Sequence, residues 1–127
     1  MEGESRIAVG QYLHEGNVEA PYFVLGSAKR RDSLDKLPYQ STVIGEALAV
    51  AGYEETGEVT GEPIKVIESD EQGLQFVTLG HFEAPENVVV YRQLRQGSYP
   101  SGQLWWRPPE NFKKHFVLDG LNDNTQI

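Results

Sequence analysis

The sequence predicts a mainly β protein, a small barrel with at most one short helix, and three observations support this. Short runs rich in Val, Ile and aromatic residues recur along the 127 residues. Turn signals containing Gly, Pro, Asn or Asp separate these runs, as expected for strands joined by short connections. Helical signals are few. The length suits a single domain, residues 1–127, with one modest core.

The first two strands are predicted before residue 30. Residues 7–14 form an apolar and aromatic run that ends at Glu15-Gly16-Asn17. Gly and Asn tolerate the positive φ that a turn requires, so the strand should end there. Residues 21–28 begin with Pro-Tyr-Phe-Val and predict the second strand.

Two β-hairpins are predicted in the second half. Residues 63–68 alternate apolar and charged side chains with a period of two, the pattern of a strand with one wet face. A polar turn at residues 70–73 leads into residues 74–79, which completes the first hairpin. Residues 87–94 and 103–107 form the second hairpin around a loop that contains two glycines and a proline.

The region between residues 29 and 62 has a different texture. Residues 42–51 contain good helix formers before a potential glycine cap, yet Val43, Ile44 and Val50 are β-branched and Gly45 lies inside, so helix and strand both remain open. Residues 53–62 are acidic and Gly-rich and suit a loop or a mobile hairpin. We interpret residues 29–62 as an insertion that elaborates a smaller barrel framework.

Helix and tails are the remaining elements. Pro108-Pro109-Glu110-Asn111-Phe112 could open one short helical turn, because proline suits the first helical position. Residues 1–6 and 120–127 are expected to be flexible tails.

Composition argues against several classes of function. The net charge is −8, with 19 acidic and 11 basic residues, which opposes nonspecific binding to nucleic acid through phosphate neutralisation. Two basic clusters, residues 29–31 and 113–115, are read as solvated surface charge. No apolar run is long enough to span a bilayer, and the acidic start resembles no export signal. Cysteine is absent, and a reduced cytoplasm is the default compartment.

The arginines and aromatic residues of the second hairpin are the candidate recognition residues. Tyr91 and Arg92 should face opposite sides of their strand. Trp105 and Arg107 should share one face and Trp106 the other, so we expect one Trp in the core and one at the surface beside an arginine. There the arginine could stack on the indole. In the alternative interpretation, Arg107 pairs with an acidic residue and the Trp packs the barrel.

The three histidines, His14, His81 and His115, lack the spacing that places metal ligands on one face. They are read as neutral surface residues, and no metal or cofactor is predicted. His14 is retained as a candidate because Glu15 lies beside it. No nucleophile-elbow or phosphate-binding glycine loop is present in the sequence.

Several motifs resemble those of a small bacterial family, domain of unknown function 1653. In this chain they read Gly10-Gln11-Tyr12-Leu13-His14, Gly16-Asn17, Val24-Leu25-Gly26, Val89-Val90-Tyr91-Arg92-Gln93-Leu94 and Trp105-Trp106-Arg107-Pro108-Pro109-Glu110-Asn111-Phe112. The resemblance covers residues 10–28 and 74–118, and it implies a small SH3-like barrel without an established activity. The long stretch between the motifs departs from the compact family pattern. Either the middle is an insertion, or residues 75–81 are the family's central strand.

Two hypotheses of function follow, and the sequence favours the first. The first is a binding module that recognises a small molecule, a peptide or a protein through an aromatic and arginine surface, by analogy with SH3-type grooves. Its candidate residues are Tyr12, His14, Tyr91, Arg92, Trp105 and Arg107. The second is a small enzyme with a His–carboxylate pair and an arginine that holds an anionic substrate. Edge strands also leave self-association open.

Overall fold

The computed structural model describes residues 9–14, 17–37, 40–51, 58–95 and 101–118. Within these ranges the chain forms eight strands and one helix. In chain order they are β1 (Gly10–His14), β2 (Asn17–Arg30), β3 (Ser41–Ala51), β4 (Glu58–Ser69), β5 (Gly73–Thr78), β6 (Asn87–Gln93), β7 (Leu104–Arg107), α1 (Pro109–His115) and β8 (Phe116–Leu118). The expected mainly β class is therefore confirmed. The predicted tails lie outside the described residues.

Six of the strands close into a barrel. Their order is β5-β4-β3-β7-β6-β2, and β2 returns to pair with β5, while β1 and β8 continue the sheet beyond β2. The β2–β5 and β3–β7 pairs are parallel, and the other pairs are antiparallel. This closed barrel with added strands is consistent with the small SH3-like barrel that was predicted.

Both predicted hairpins are present. In the first, β4 pairs with β5 from Ile64 opposite Thr78 to Ser69 opposite Gly73. In the second, β6 pairs with β7 from Val89 opposite Arg107 to Arg92 opposite Leu104. The alternation in residues 63–68 identified β4. β6 and β7 show no such alternation because both of their faces are buried, with four consecutive buried residues in each strand.

The segment that could have been helix or strand is the strand β3. Its buried residues, Ala47 and Ala49, recur with a period of two and face the barrel core. β3 lies between β4 and β7, so the middle region supplies one strand of the closed ring. Residues 52–57, which include the first half of the acidic stretch, lie outside the described residues, and residues 58–62 of that stretch belong to β4.

The barrel interior is a continuous apolar core. Alternate residues of each strand point inward, and the buried members are Ala28, Ala47, Ala49, Ile64, Val66, Phe76, Ala84, Val88, Val90, Leu104 and Trp106. Phe82, in the segment between β5 and β6, stacks near Trp106 with ring centroids 6.2 Å apart. Arg30 Nη1 donates to the carbonyl oxygen of Ala84, which fixes this segment over one end of the barrel.

A second apolar cluster lies on the outer face of the barrel wall. Its buried members are Tyr12, Val24, Val89, Tyr91, Trp105, Phe112 and Phe116, which come from β1, β2, β6, β7, α1 and β8. Pro109 begins the helix, as predicted, and the backbone N–H of Phe112 donates to Pro108 O. The short helix and β8 thus cover a face of the sheet that would otherwise be exposed to solvent. Among the described residues, no helix is long and apolar enough to span a membrane.

Candidate functional site

Four of the six candidate residues converge in the outer cluster, and all four are buried. Tyr12 is 8% exposed, Tyr91 2%, Trp105 5% and Arg107 4%. They come from β1, β6 and β7, which the sheet order places close together. These four residues form a packed cluster and not an open aromatic groove.

Arg107 is the polar centre of this cluster. Its Nε donates to the Tyr91 hydroxyl at 2.8 Å, and its Nη1 donates to Asn111 Oδ1 at 2.7 Å. Its Cζ lies 5.0 Å from the centre of the Phe116 ring, within cation–π range. A buried charge needs such partners to offset the loss of water. Because Asn111 and Phe116 belong to α1 and β8, Arg107 holds the C-terminal segment against the barrel wall.

Aromatic rings surround this guanidinium. Phe112 and Phe116 stack with centroids 4.3 Å apart and planes at 7°. The Tyr22 ring meets those of Tyr91 and Phe116 edge-on, each at 5.5 Å. Burial raises the pKa of the Tyr22 phenol above its ordinary 10.0, and the positive charge of Arg107 opposes part of that rise.

The expectation that one tryptophan is at the surface is wrong. Trp106 is 2% exposed inside the barrel, while Trp105 lies in the outer cluster and donates from Nε1 to Gln93 Oε1 at 3.1 Å. The predicted directions are confirmed, since Trp105 shares its cluster's face with Arg107 and Trp106 faces inward. Trp105 is buried because α1 and β8 cover the outer face, which strand alternation alone does not reveal.

Arg92 lies on the other face of β6, apart from the outer cluster. It follows Val88 and Val90 with a period of two, and both valines belong to the barrel core. Its neighbours across the sheet are Phe23 on β2 and Leu104 on β7. The Arg92 side chain is thus directed toward the inside of the barrel, near the end of its strand.

The Nε atom of Arg92 is buried and has no hydrogen-bond partner. Three other arginines of the described chain behave differently: Arg30 donates to Ala84 O, Arg31 to the Gln75 side chain and nearby carbonyl groups, and Arg107 to Tyr91 and Asn111. A buried donor without a partner is uncommon in native proteins, and it often marks the place of a bound molecule or water.

Apolar residues surround this end of the barrel. Strand β6 starts near Phe82 and runs away from it, so Arg92, close to the last residue of β6, lies at the opposite end of the barrel. The strands β2, β3, β5 and β7 run in the other direction, and β3, β5 and β7 begin at the Arg92 end. A Cβ at Gly45 would lie 3.3 Å from Leu104 Cδ1, and one at Gly26 would lie 3.4 Å from Leu74 Cδ1. Hence the starts of β3 and β5 approach β7 and β2 at this end. Leu25, Ile44 and Leu74 pack against the core there but are only partly buried.

The histidines do not gather with these residues in the described chain. His14 ends β1, where its backbone pairs with Asn17 and Phe116, and its side chain lies outside what the structure describes. His81 is exposed in the segment after β5. Among the described residues, no group of three or more His, Asp or Glu could hold a metal ion.

Sequence reasoning did not single out Tyr22, Asn111 and Phe116, which lie around the Arg107 guanidinium. Asn111 follows Arg107 by four residues, and the two prolines between them start the helix that brings the amide back to the guanidinium. That spacing was a usable signal. Tyr22 and Phe116 join the cluster through pairing of distant strands, which no local pattern reports.

Comparisons with known proteins give no further identification. No protein-family model, no curated protein and no solved structure matches this chain.

Proposed function

We propose that this protein is a binding module whose recognition site is the Arg92 end of the barrel and whose ligand carries an anionic group. Charge complementarity to the guanidinium supports an anion. The net charge of −8 disfavours polyanions such as nucleic acid and favours a ligand with little charge of its own. The proposal includes a cytoplasmic location, which the cysteine-free sequence suits.

The observation that carries the proposal is the buried, unpartnered Nε of Arg92. Leaving a buried donor unsatisfied costs about 1–3 kcal/mol, and more for a charged group. A ligand acceptor that reaches Nε, after the side chains covering this atom move aside, would recover that free energy on binding. The flanking residues Phe23 and Leu104 offer no side-chain acceptor that could serve instead.

The outer cluster has a supporting role in this proposal. Trp105 and Tyr91 face each other across β6 and β7, directly behind the strand positions that present Arg92. A binding residue is effective when the strand that carries it is held rigidly by packing on its other face. Among the sequence candidates, Arg92 would thus contact the ligand, while Tyr12, Tyr91, Trp105 and Arg107 would hold its strand.

The test is a thermal-shift screen of the purified protein against carboxylates, phosphates, sulfates and neutral analogues. Binding to the folded state alone raises the melting temperature, with a gain of about 2.7 kcal/mol at a ligand concentration a hundredfold above Kd. We expect an anion to raise the Tm of the natural protein and to leave the Arg92→Gln variant unchanged.

The matched control is Arg95→Gln. Arg95 is exposed and only three residues away, so its replacement removes the same charge from an exposed position. A response that survives Arg92→Gln but is lost in Arg95→Gln would contradict the proposal, and so would a panel in which no anion shifts the Tm.

A further inference from the structure

We infer that the ligand group at Arg92 is a carboxylate joined to a short aliphatic chain. This inference rests on the proposed function and specifies its ligand. It combines two observations made at the same end of the barrel: a guanidinium with an unpartnered Nε, and apolar side chains that are incompletely covered.

The geometry of the guanidinium favours a carboxylate. Nε is covered in the unliganded protein, so binding requires the side chains over it to move aside. Nε and the neighbouring Nη then present two parallel N–H groups on one edge of the guanidinium plane, and the two oxygens of a carboxylate match them in a bidentate pair. The neighbours of Arg92 across the sheet, Phe23 and Leu104, carry no charge. Glu68 lies opposite Leu74 at this end of the barrel. One positive charge with an acidic residue at the same end suits a monoanion better than a phosphate dianion, whose second charge would have no partner and would be repelled.

The apolar residues specify what the carboxylate is attached to. Leu25, Ile44 and Leu74 are partly buried against the barrel core and retain apolar surface at this end. An aliphatic chain that covers this surface gains about 0.8 kcal/mol per buried CH₂, which tightens Kd about fourfold per carbon.

The filled interior limits the length of that chain. Phe76, Val66 and Val90 are fully buried side chains of the core below the barrel end. A ligand therefore has no room to extend down the barrel axis, because protein interiors are close-packed. Each added carbon should therefore improve the binding free energy only until the chain covers the exposed edges of Leu25, Ile44 and Leu74.

The experiment follows the Nε–H signals of the arginines by ¹⁵N NMR while acetate, butyrate, hexanoate and octanoate are added. The Arg92 signal is assigned as the one missing from Arg92→Gln. We expect it to move with each carboxylate, with Kd falling about fourfold per added carbon before it levels off. The Arg107 signal should stay in place, because its Nε already donates to Tyr91.

A matched variant tests the apolar contact. Ile44→Ala should weaken hexanoate binding and leave acetate binding unchanged, since acetate is too short to reach the aliphatic surface. Circular dichroism confirms that the variant is folded, which is expected because Ile44 is only partly buried.

Further ligands separate failure of this inference from failure of the proposed function. If hexyl phosphate moves the Arg92 signal at lower concentration than hexanoate, or if Kd does not depend on chain length, the aliphatic carboxylate is wrong while an anion site at Arg92 stands. If N-acetyl-leucinate binds about tenfold tighter than hexanoate, the ligand is a peptide C-terminus and the inference of an aliphatic carboxylate is wrong. If no anion moves the signal, both proposals are wrong.

Discussion

Arg107 and Tyr91 are diagonal neighbours across β6 and β7, and a buried 2.8 Å hydrogen bond joins them. Arg107 lies directly opposite Val89, so Tyr91 is the next residue along on the same face. Diagonal pairs of long side chains are within reach in antiparallel sheets. This pair uses that reach to place a positive charge beneath the aromatic rings of the C-terminal segment.

Arg107→Lys should lower the free energy of unfolding by about 2–3 kcal/mol, the range for hydrogen bonds to charged groups. An ammonium group cannot reproduce the fork that reaches Tyr91 and Asn111 together. Urea unfolding measures the loss. Arg95→Lys, at an exposed position, should change stability by less than about 0.5 kcal/mol. Equal losses in the two variants would contradict this role for Arg107.

Both tryptophans should behave as buried in fluorescence. Trp106→Phe leaves Trp105 as the only indole, and Trp105→Phe leaves Trp106. Each variant should emit at short wavelength and resist quenching by iodide, because both indoles are nearly fully buried. Trp105→Ala should cost about 3–5 kcal/mol, as large aromatic truncations do. Rapid quenching of Trp105 in the folded protein would show that α1 and β8 do not cover it.

Gly45→Ala should destabilise the protein by about 1–3 kcal/mol, the cost of a strained backbone conformation. Gly45 has a φ of 151° beside the β-bulge between β3 and β4, and an added Cβ would press on Leu104 at 3.3 Å. Gly80→Ala is the control, since Gly80 is exposed and its nearest atom would lie at an ordinary 3.5 Å. Thermal unfolding of both variants measures the difference, and a harmless Gly45→Ala would refute the strain.

Stability should fall as the pH rises above about 10, and Tyr22 should contribute to that fall. The pKa of its phenol is raised in the folded protein. The unfolded chain therefore loses this proton first, and the contribution of Tyr22, complete below pH 10, is lost as the pH rises through the folded-state pKa. Urea unfolding between neutral and alkaline pH should give a shallower decline for Tyr22→Phe than for the natural protein. If the free energy of unfolding declined equally with pH in Tyr22→Phe and in the natural protein, the raised pKa of Tyr22 would be contradicted.

Much of the fold could be predicted from the sequence because its signals are local. The alternation in residues 63–68 and the turn at residues 70–73 are read directly from neighbouring residues, and β4 and β5 form as predicted. The direction of Trp106 relative to Trp105 follows from the period of two.

What could not be predicted depends on distant pairings. The cover over Trp105 comes from α1 and β8, and β8 is held by β1 at the other end of the chain. The unpartnered Nε of Arg92 is likewise a tertiary property, because the sequence motif places Arg92 beside Tyr91 without showing that this one atom finds no acceptor. The sequence gathered six candidates in one group, whereas the sheet places Arg92 on the opposite face from Tyr12, Tyr91, Trp105 and Arg107.

The two parallel pairings of the ring have a consequence for how the protein folds. β7 lies between β6 and β3, and it pairs with residues of β3 that come 57 positions earlier in the chain, such as Ala47 opposite Leu104. Neither β3 nor β6 has its full set of neighbours until residues 104–107 are present. During synthesis, the barrel therefore cannot close until β7 has left the ribosome. Such non-local closure predicts slow folding and a late interval in which open strand edges need protection from aggregation.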